Sequence, residues 1–149
     1  MQKERYLIMY PIEFRMASLQ KTVEGVFVLL FGGVLYYGLE VAFRGFSHWS
    51  MAVCGAICFL FLYRMNRLYF RIPLPLRALA GAAFITSVEL VAGCILNLGM
   101  GMKIWDYSAL PYHFLGQICL PFSILWFLLG FPCAYLSYLI RRVVFLADE

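Results

Sequence analysis

Residues 25–43 read GVFVLLFGGVLYYGLEVAF, nineteen positions with one charged side chain, Glu40. Three further windows share this character, at 49–63, 78–102 and 114–140, and among them only 78–102 holds a charge, Glu89. A helix rises 1.5 Å per residue and a bilayer's hydrocarbon core is about 30 Å thick, so about 20 apolar residues cross it. Composition agrees. Of 149 residues 64% are hydrophobic and 13% charged, against about 45–50% and about 25% in ordinary soluble domains. The expected fold is an all-α integral membrane protein, a bundle of four transmembrane helices.

The chain then divides into an interfacial segment at 1–24, a membrane domain at 25–142 and a short tail at 143–149. The apolar piece YLIMYPIEF near the start is too short to cross and no small-residue cleavage site follows it, so it is expected to lie on the cytoplasmic surface. Pro73 and Pro75 forbid a continuous helix through the connector RMNRLYFRIPLPLR, since each lacks an N–H donor and restricts the residue before it. Pro121 and Pro132 are expected to kink the fourth span.

Orientation follows from the basic residues beside the spans. One side carries Lys3, Arg5, Arg15, Lys21, Arg64, Arg67, Arg71, Arg77, Arg141 and Arg142, and the other only Arg44 and Lys103. This asymmetry predicts both termini in the cytoplasm and the 105–113 loop outside the cell, in the plasma membrane. The formal net charge of +4 reads as topology and contact with the lipid bilayer rather than nucleic-acid binding.

Five cysteines, Cys54, Cys58, Cys94, Cys119 and Cys133, fall inside the apolar windows, where a disulfide framework or a zinc site does not belong. His48 and His113 lack the spacing of a metal site. No phosphate-binding loop, His-Glu-x-x-His or Gly-x-Ser-x-Gly motif occurs, so the sequence points to no cofactor and no catalytic residue.

The polar residues that do lie in or beside the spans are therefore informative. A carboxylate near the bilayer centre costs about 2.5–3.5 kcal/mol on insertion scales, so Glu89 is expected to be neutral, paired or facing a hydrated interior; Thr86 and Ser87 offer it nearby hydroxyls. Glu40 lies nearer the interface, where it can pair with Arg44, four residues on. Trp105, Asp106, Tyr107, Ser108, His113 and Gln117 crowd the approach to the fourth span. Alone they read as interfacial aromatics and turn residues; together, beside Glu40, Arg44 and His48, they form a candidate binding face, with Gln117 one helical turn below His113. The order Glu, Trp, Ser, Gly-x-Ile-Cys recurs after Glu40 and after Glu89, which raises a parallel repeat of two helical hairpins. Unequal spacing, with 15 residues from Glu40 to Gly55 and 27 from Glu89 to Gly116, speaks against it.

Taken in order, YYGLE, TSVELVAG, WDYS and GQICLPFSILWFLLG resemble the CmpB-like ABC-transporter type IV family of small membrane proteins. The resemblance implies that Glu40, Glu89, Trp105, Asp106, Tyr107, Ser108, Gly116 and Gln117 are signature positions, and that the chain is permease-like. It carries no substrate. The leading expectation is movement of a small solute or ion through the bundle, along Glu40, Glu89, Trp105, Asp106, Tyr107, Ser108, His113 and Gln117. The alternatives are a regulatory or assembly subunit of a larger membrane complex and a lipid-modifying enzyme using Asp106 or His113. Small residues at Gly81, Ala82, Ala83, Gly93 and Gly99 are expected to let the third helix pack closely, and a homodimer is expected if the protein forms a pathway.

Overall fold

The computed structural model describes residues 2–146, with side chains from position 19 onward. Expectations that rest on the side chains of 1–18 or on residues 147–149 lie outside it. Four helices follow in order: α1 (Gln2–Arg44), α2 (Trp49–Leu68), α3 (Leu74–Gly93) and α4 (Leu120–Leu139). A π-helical turn extends α3 over Cys94–Gly99, and another extends α4 over Ile140–Val144. Among the described residues four stretches are long and apolar enough to span a membrane, of 26, 20, 26 and 25 residues. At 1.5 Å per residue each reaches about 30 Å or more, and the protein is a multi-pass membrane bundle.

α1 packs chiefly on α2 and α3 chiefly on α4, so the bundle is two helical hairpins, and α2 then meets both α3 and α4. Small residues set the contacts. A Cβ at Gly55 of α2 would lie 2.8 Å from Cγ of Tyr36 on α1, and one at Gly130 of α4 would lie 2.7 Å from Cβ of Ala78 on α3. Without a hydrophobic drive between helices in lipid, close backbone approach of this kind is what holds them together. The apolar core toward the basic end joins Val28, Phe59, Tyr63 and Ile140 from α1, α2 and the end of α4. Beside it Glu24 of α1 is buried, accepting hydrogen bonds from the Tyr63 hydroxyl and from Arg67 Nη1 at 2.6 Å.

Several boundaries differ from those read in the sequence. α1 runs continuously from Gln2 through the first span, and among the described side chains, which start at position 19, its apolar stretch is Leu19–Arg44. α2 continues to Leu68, past Arg64 and Arg67, because long basic side chains can extend from an apolar helix toward the interface. α3 starts at Leu74, with Pro75 in its first turn, where a missing N–H costs nothing. α4 starts only at Leu120. Residues 113–119 instead form a small hairpin of β1 (His113–Phe114) and β2 (Ile118–Cys119), with His113 opposite Cys119. Gln117 is therefore not one helical turn below His113. Pro121 opens α4 rather than kinking it, and Pro132 is the proline inside the helix. The two Gly-x-Ile-Cys pieces also part company, since Gly55 lies mid-helix and Gly116 in the hairpin turn at φ +68°. The hairpin pairing is real, but the shared motif does not mark equivalent places.

Gly55→Ala is expected to lower thermal stability in detergent by about 1–3 kcal/mol through overpacking against Tyr36. Gly38→Ala, where a Cβ meets nothing within 4 Å, is expected to leave stability equal or slightly higher. Paired thermal-unfolding curves of the two variants check this.

Candidate functional site

Residues 100–119 fold back over the ends of α1, α3 and α4, and one side chain organises them. Asn97, buried in the π-helical turn after α3, donates through Nδ2 to the Trp105 carbonyl at 3.0 Å and to Gln117 Oε1 at 2.7 Å. Its Oδ1 accepts from the Ile104 amide at 2.7 Å. Trp105 Nε1 donates to the Gln117 carbonyl at 3.0 Å, and Gln117 Nε2 donates to the Leu115 carbonyl at 3.1 Å. Both ends of the loop are thus tied to one amide. Amides satisfy this geometry because each offers a two-hydrogen donor beside a two-lone-pair acceptor. Gln117 lies directly on α3: a Cβ at Gly93 would come within 2.5 Å of its Oε1.

Asp106 is exposed, and its Oδ1 accepts from the Ser108 amide at 2.8 Å, closing a local turn. That backbone donor, first among the causes, holds the Asp106 carboxyl below the usual range. A Cβ at Gly116 would stand 2.8 Å from the same Oδ1, and Gly116 has positive φ, so glycine is required twice over. His113 is exposed too; its Nδ1 accepts from the Gly116 amide at 3.3 Å. The Tyr107 amide donates to the Gly116 carbonyl at 2.7 Å, pinning WDYS to the hairpin turn.

Beneath this loop lies Glu89, only 8% exposed. Its Oε2 accepts from Trp126 Nε1 of α4 at 3.0 Å, and its Oε1 faces the Tyr107 hydroxyl at 3.5 Å, the long limit of a hydrogen bond. Tyr107 stacks on Phe122 at 4.7 Å between centroids, Phe122 leans on Trp126, and Tyr36 of α1 approaches Trp126 from the other side. Burial, and then the charge of Glu89, push the Tyr107 phenol above its ordinary value, so it stays protonated and able to donate. Among the described residues Glu89 forms no ion pair. Thr86 pairs with Ser123 and Ser87 donates to the Ala83 carbonyl, so the nearby hydroxyls turn away from the carboxylate.

Glu40 is treated differently. Arg44 Nη1 bonds its Oε1 at 2.6 Å, the Ser47 hydroxyl donates to its Oε2, and Arg44 Nη2 reaches the Ile104 carbonyl at 2.7 Å. The fold brings together Glu89 with Tyr107, and Trp105 with Gln117. It places Asp106, Ser108 and His113 on the exposed rim, and His48 caps α2 by accepting from the Ser50 amide. Sequence reasoning missed Trp126, Tyr36 and Ser47, and it gave Asn97 no role. Trp126 is 37 positions from Glu89 and carries no local signal. Asn97, in an apolar helix end before a polar loop, does.

Residues 40–147 match the family described as Putative ABC-transporter type IV. The chain belongs to that family. The match begins at Glu40, so most of α1 lies outside it, whereas Glu89, the WDYS stretch, Gln117 and Trp126 all lie within. No curated protein and no solved structure matches this family member.

Asn97→Ala strands the Ile104 amide, the Trp105 carbonyl and the Gln117 side chain, each at about 1–3 kcal/mol when buried. Hydrogen exchange at Ile104 is expected to quicken at least tenfold, about 1.4 kcal/mol. Asp106→Asn, which alters only the exposed turn, leaves that exchange rate unchanged.

Proposed function

We propose that the protein is permease-like and moves a small solute or ion through the bundle, with Glu89 as the intramembrane ligand and the 100–119 loop as the outer gate. A cation, a proton included, is what this carboxylate fits. One observation carries the reading. Glu89 is buried at membrane depth with two neutral donors and, among the described residues, no cationic side chain, while Glu40 a short distance away has its own arginine. A buried acid without a counter-ion is expensive to ionise, and such residues in membrane helices mark ion or proton pathways. Aromatic walls around it exclude lipid and sharpen electrostatic attraction for a desolvated cation. Trp105, Asp106, Ser108, His113 and Gln117 act here as the gate and its rim rather than as ligands of one site. A pair of chains completing the pathway fits four short helices that enclose little interior.

The membrane orientation is part of the proposal, with both termini in the cytoplasm of a cell whose plasma membrane holds the bundle. In a background without the native cysteines, Ala109→Cys should react with an impermeant thiol reagent on intact cells. Reaction only after permeabilisation reverses the orientation.

For transport itself, the purified chain in liposomes should dissipate an imposed H⁺, Na⁺ or K⁺ gradient. Glu89→Gln keeps shape and hydrogen bonding but cannot ionise, so flux per inserted molecule should fall at least tenfold, about 1.4 kcal/mol, with Glu89→Asp partly active. Undiminished flux of Glu89→Gln at acidic and alkaline pH ends this reading.

A second reading is a regulatory or assembly subunit, and the complete internal pairing of the Asn97–Gln117 network favours it. It predicts no flux by the purified chain alone and full insertion of Glu89→Gln.

A further inference from the structure

Toward the basic end of α2, a groove of about 350 Å³ runs along the helix beside Phe84 of α3. Its walls are Ile57, Leu60 and Phe61 of α2 and Phe84 of α3, with Arg64 and Tyr69 toward the helix end. Phe61 and Phe84 stack face to face, centroids 3.9 Å apart, which bridges the two helices at the groove's side. The apolar positions Ile57, Leu60 and Phe61 recur at helical spacing and meet Arg64 one turn before α2 ends. Arg64 is exposed and pairs with no carboxylate among the described residues, since Glu24, the acid on the adjoining part of α1, is taken by Arg67 and Tyr63. Arg71 lies just beyond, its guanidinium 5.8 Å from the Phe70 ring centre. An unpaired cation, Arg64, therefore stands at the end of an apolar slot along a membrane helix.

We infer that this groove holds one acyl chain of an anionic phospholipid, with its phosphate at Arg64 and the Tyr69 hydroxyl at the interface. The occupant follows from the juxtaposition. Apolar walls at hydrocarbon depth suit a chain, a free guanidinium at the helix end suits a negative headgroup, and basic pockets between membrane helices bind such headgroups. A zwitterionic lipid satisfies the walls equally but sets its own ammonium beside Arg64 and Arg71. The site is independent of the proposed transport, since it shares no residue with the Glu89 cluster.

Native mass spectrometry of the full chain decides it, using equimolar phosphatidylglycerol and phosphatidylcholine with identical acyl chains. The wild type should retain the anionic lipid about fivefold over the zwitterionic one, the effect expected of about 1 kcal/mol per basic residue near the surface. Arg64→Gln should bring the ratio near unity while total lipid retention persists, and Arg64→Lys should keep the preference. Ile57→Trp, at a 45% exposed position that tolerates a larger side chain, should fill the slot and reduce retention of both lipids. Equal retention by the wild type, an unchanged preference in Arg64→Gln or an unchanged lipid load in Ile57→Trp overturns the site. Retention of glycerophosphoglycerol, the headgroup without chains, also overturns it, because the groove then contributes nothing.

Discussion

Polar groups near a membrane's hydrocarbon must find partners within the protein, and at one end of this bundle a single amide, Asn97, meets that demand for a twenty-residue loop, 100–119. It does so from a π-helical turn, a geometry that appears often where a helix is bent to functional use. With Asn97 bonded to both halves of the loop, Trp105 and Gln117 close on each other and Tyr107 is delivered down to Glu89. Gly93 makes room for the Gln117 side chain and Gly116 for the Asp106 carboxylate. The loop is therefore a cover whose position is set by α3, the helix that also carries the buried acid.

The contrast between carboxylates then acquires meaning. Glu24 and Glu40 each hold an arginine and a hydroxyl, arrangements that tie neighbouring segments together. Removing one partner of such a buried pair is costly because the other charge is left alone. Glu89 has an indole N–H and a distant phenol instead. Among the described residues it is the buried acid without a cationic partner.

Much of this was legible in the chain. Span number, the proline-bounded connector and the Glu40–Arg44 pair follow from apolar length, missing N–H groups and i,i+4 spacing, which are local properties. The start of α4 was not, because 113–119 is apolar enough to read as helix, whereas the positive φ of Leu115 and Gly116, together with the packing of Gln117 on Gly93, turns it into a hairpin. WDYS was recognisable as a group, but its members separate in space: Trp105 is buried, Asp106 and Ser108 form an exposed turn, and Tyr107 points to Glu89. Trp126 reaches the acid from α4 and Tyr36 of α1 meets Trp126 in turn, and no sequence spacing announces contacts of that kind.

If Glu89 is the ligand of the proposed pathway, it exchanges its neutral partners for a cation during function. Infrared difference spectroscopy of the protein in lipid nanodiscs, with Glu89→Gln as the reference, isolates the bands of this one side chain. The expected result is a Glu89-dependent carboxyl or carboxylate band that changes when pH, Na⁺ or K⁺ is varied, together with a change in the Trp126 indole N–H band. A Glu89 signal that stays fixed under all three, with Trp126 unmoved, would contradict it and leave the carboxylate as a packing group.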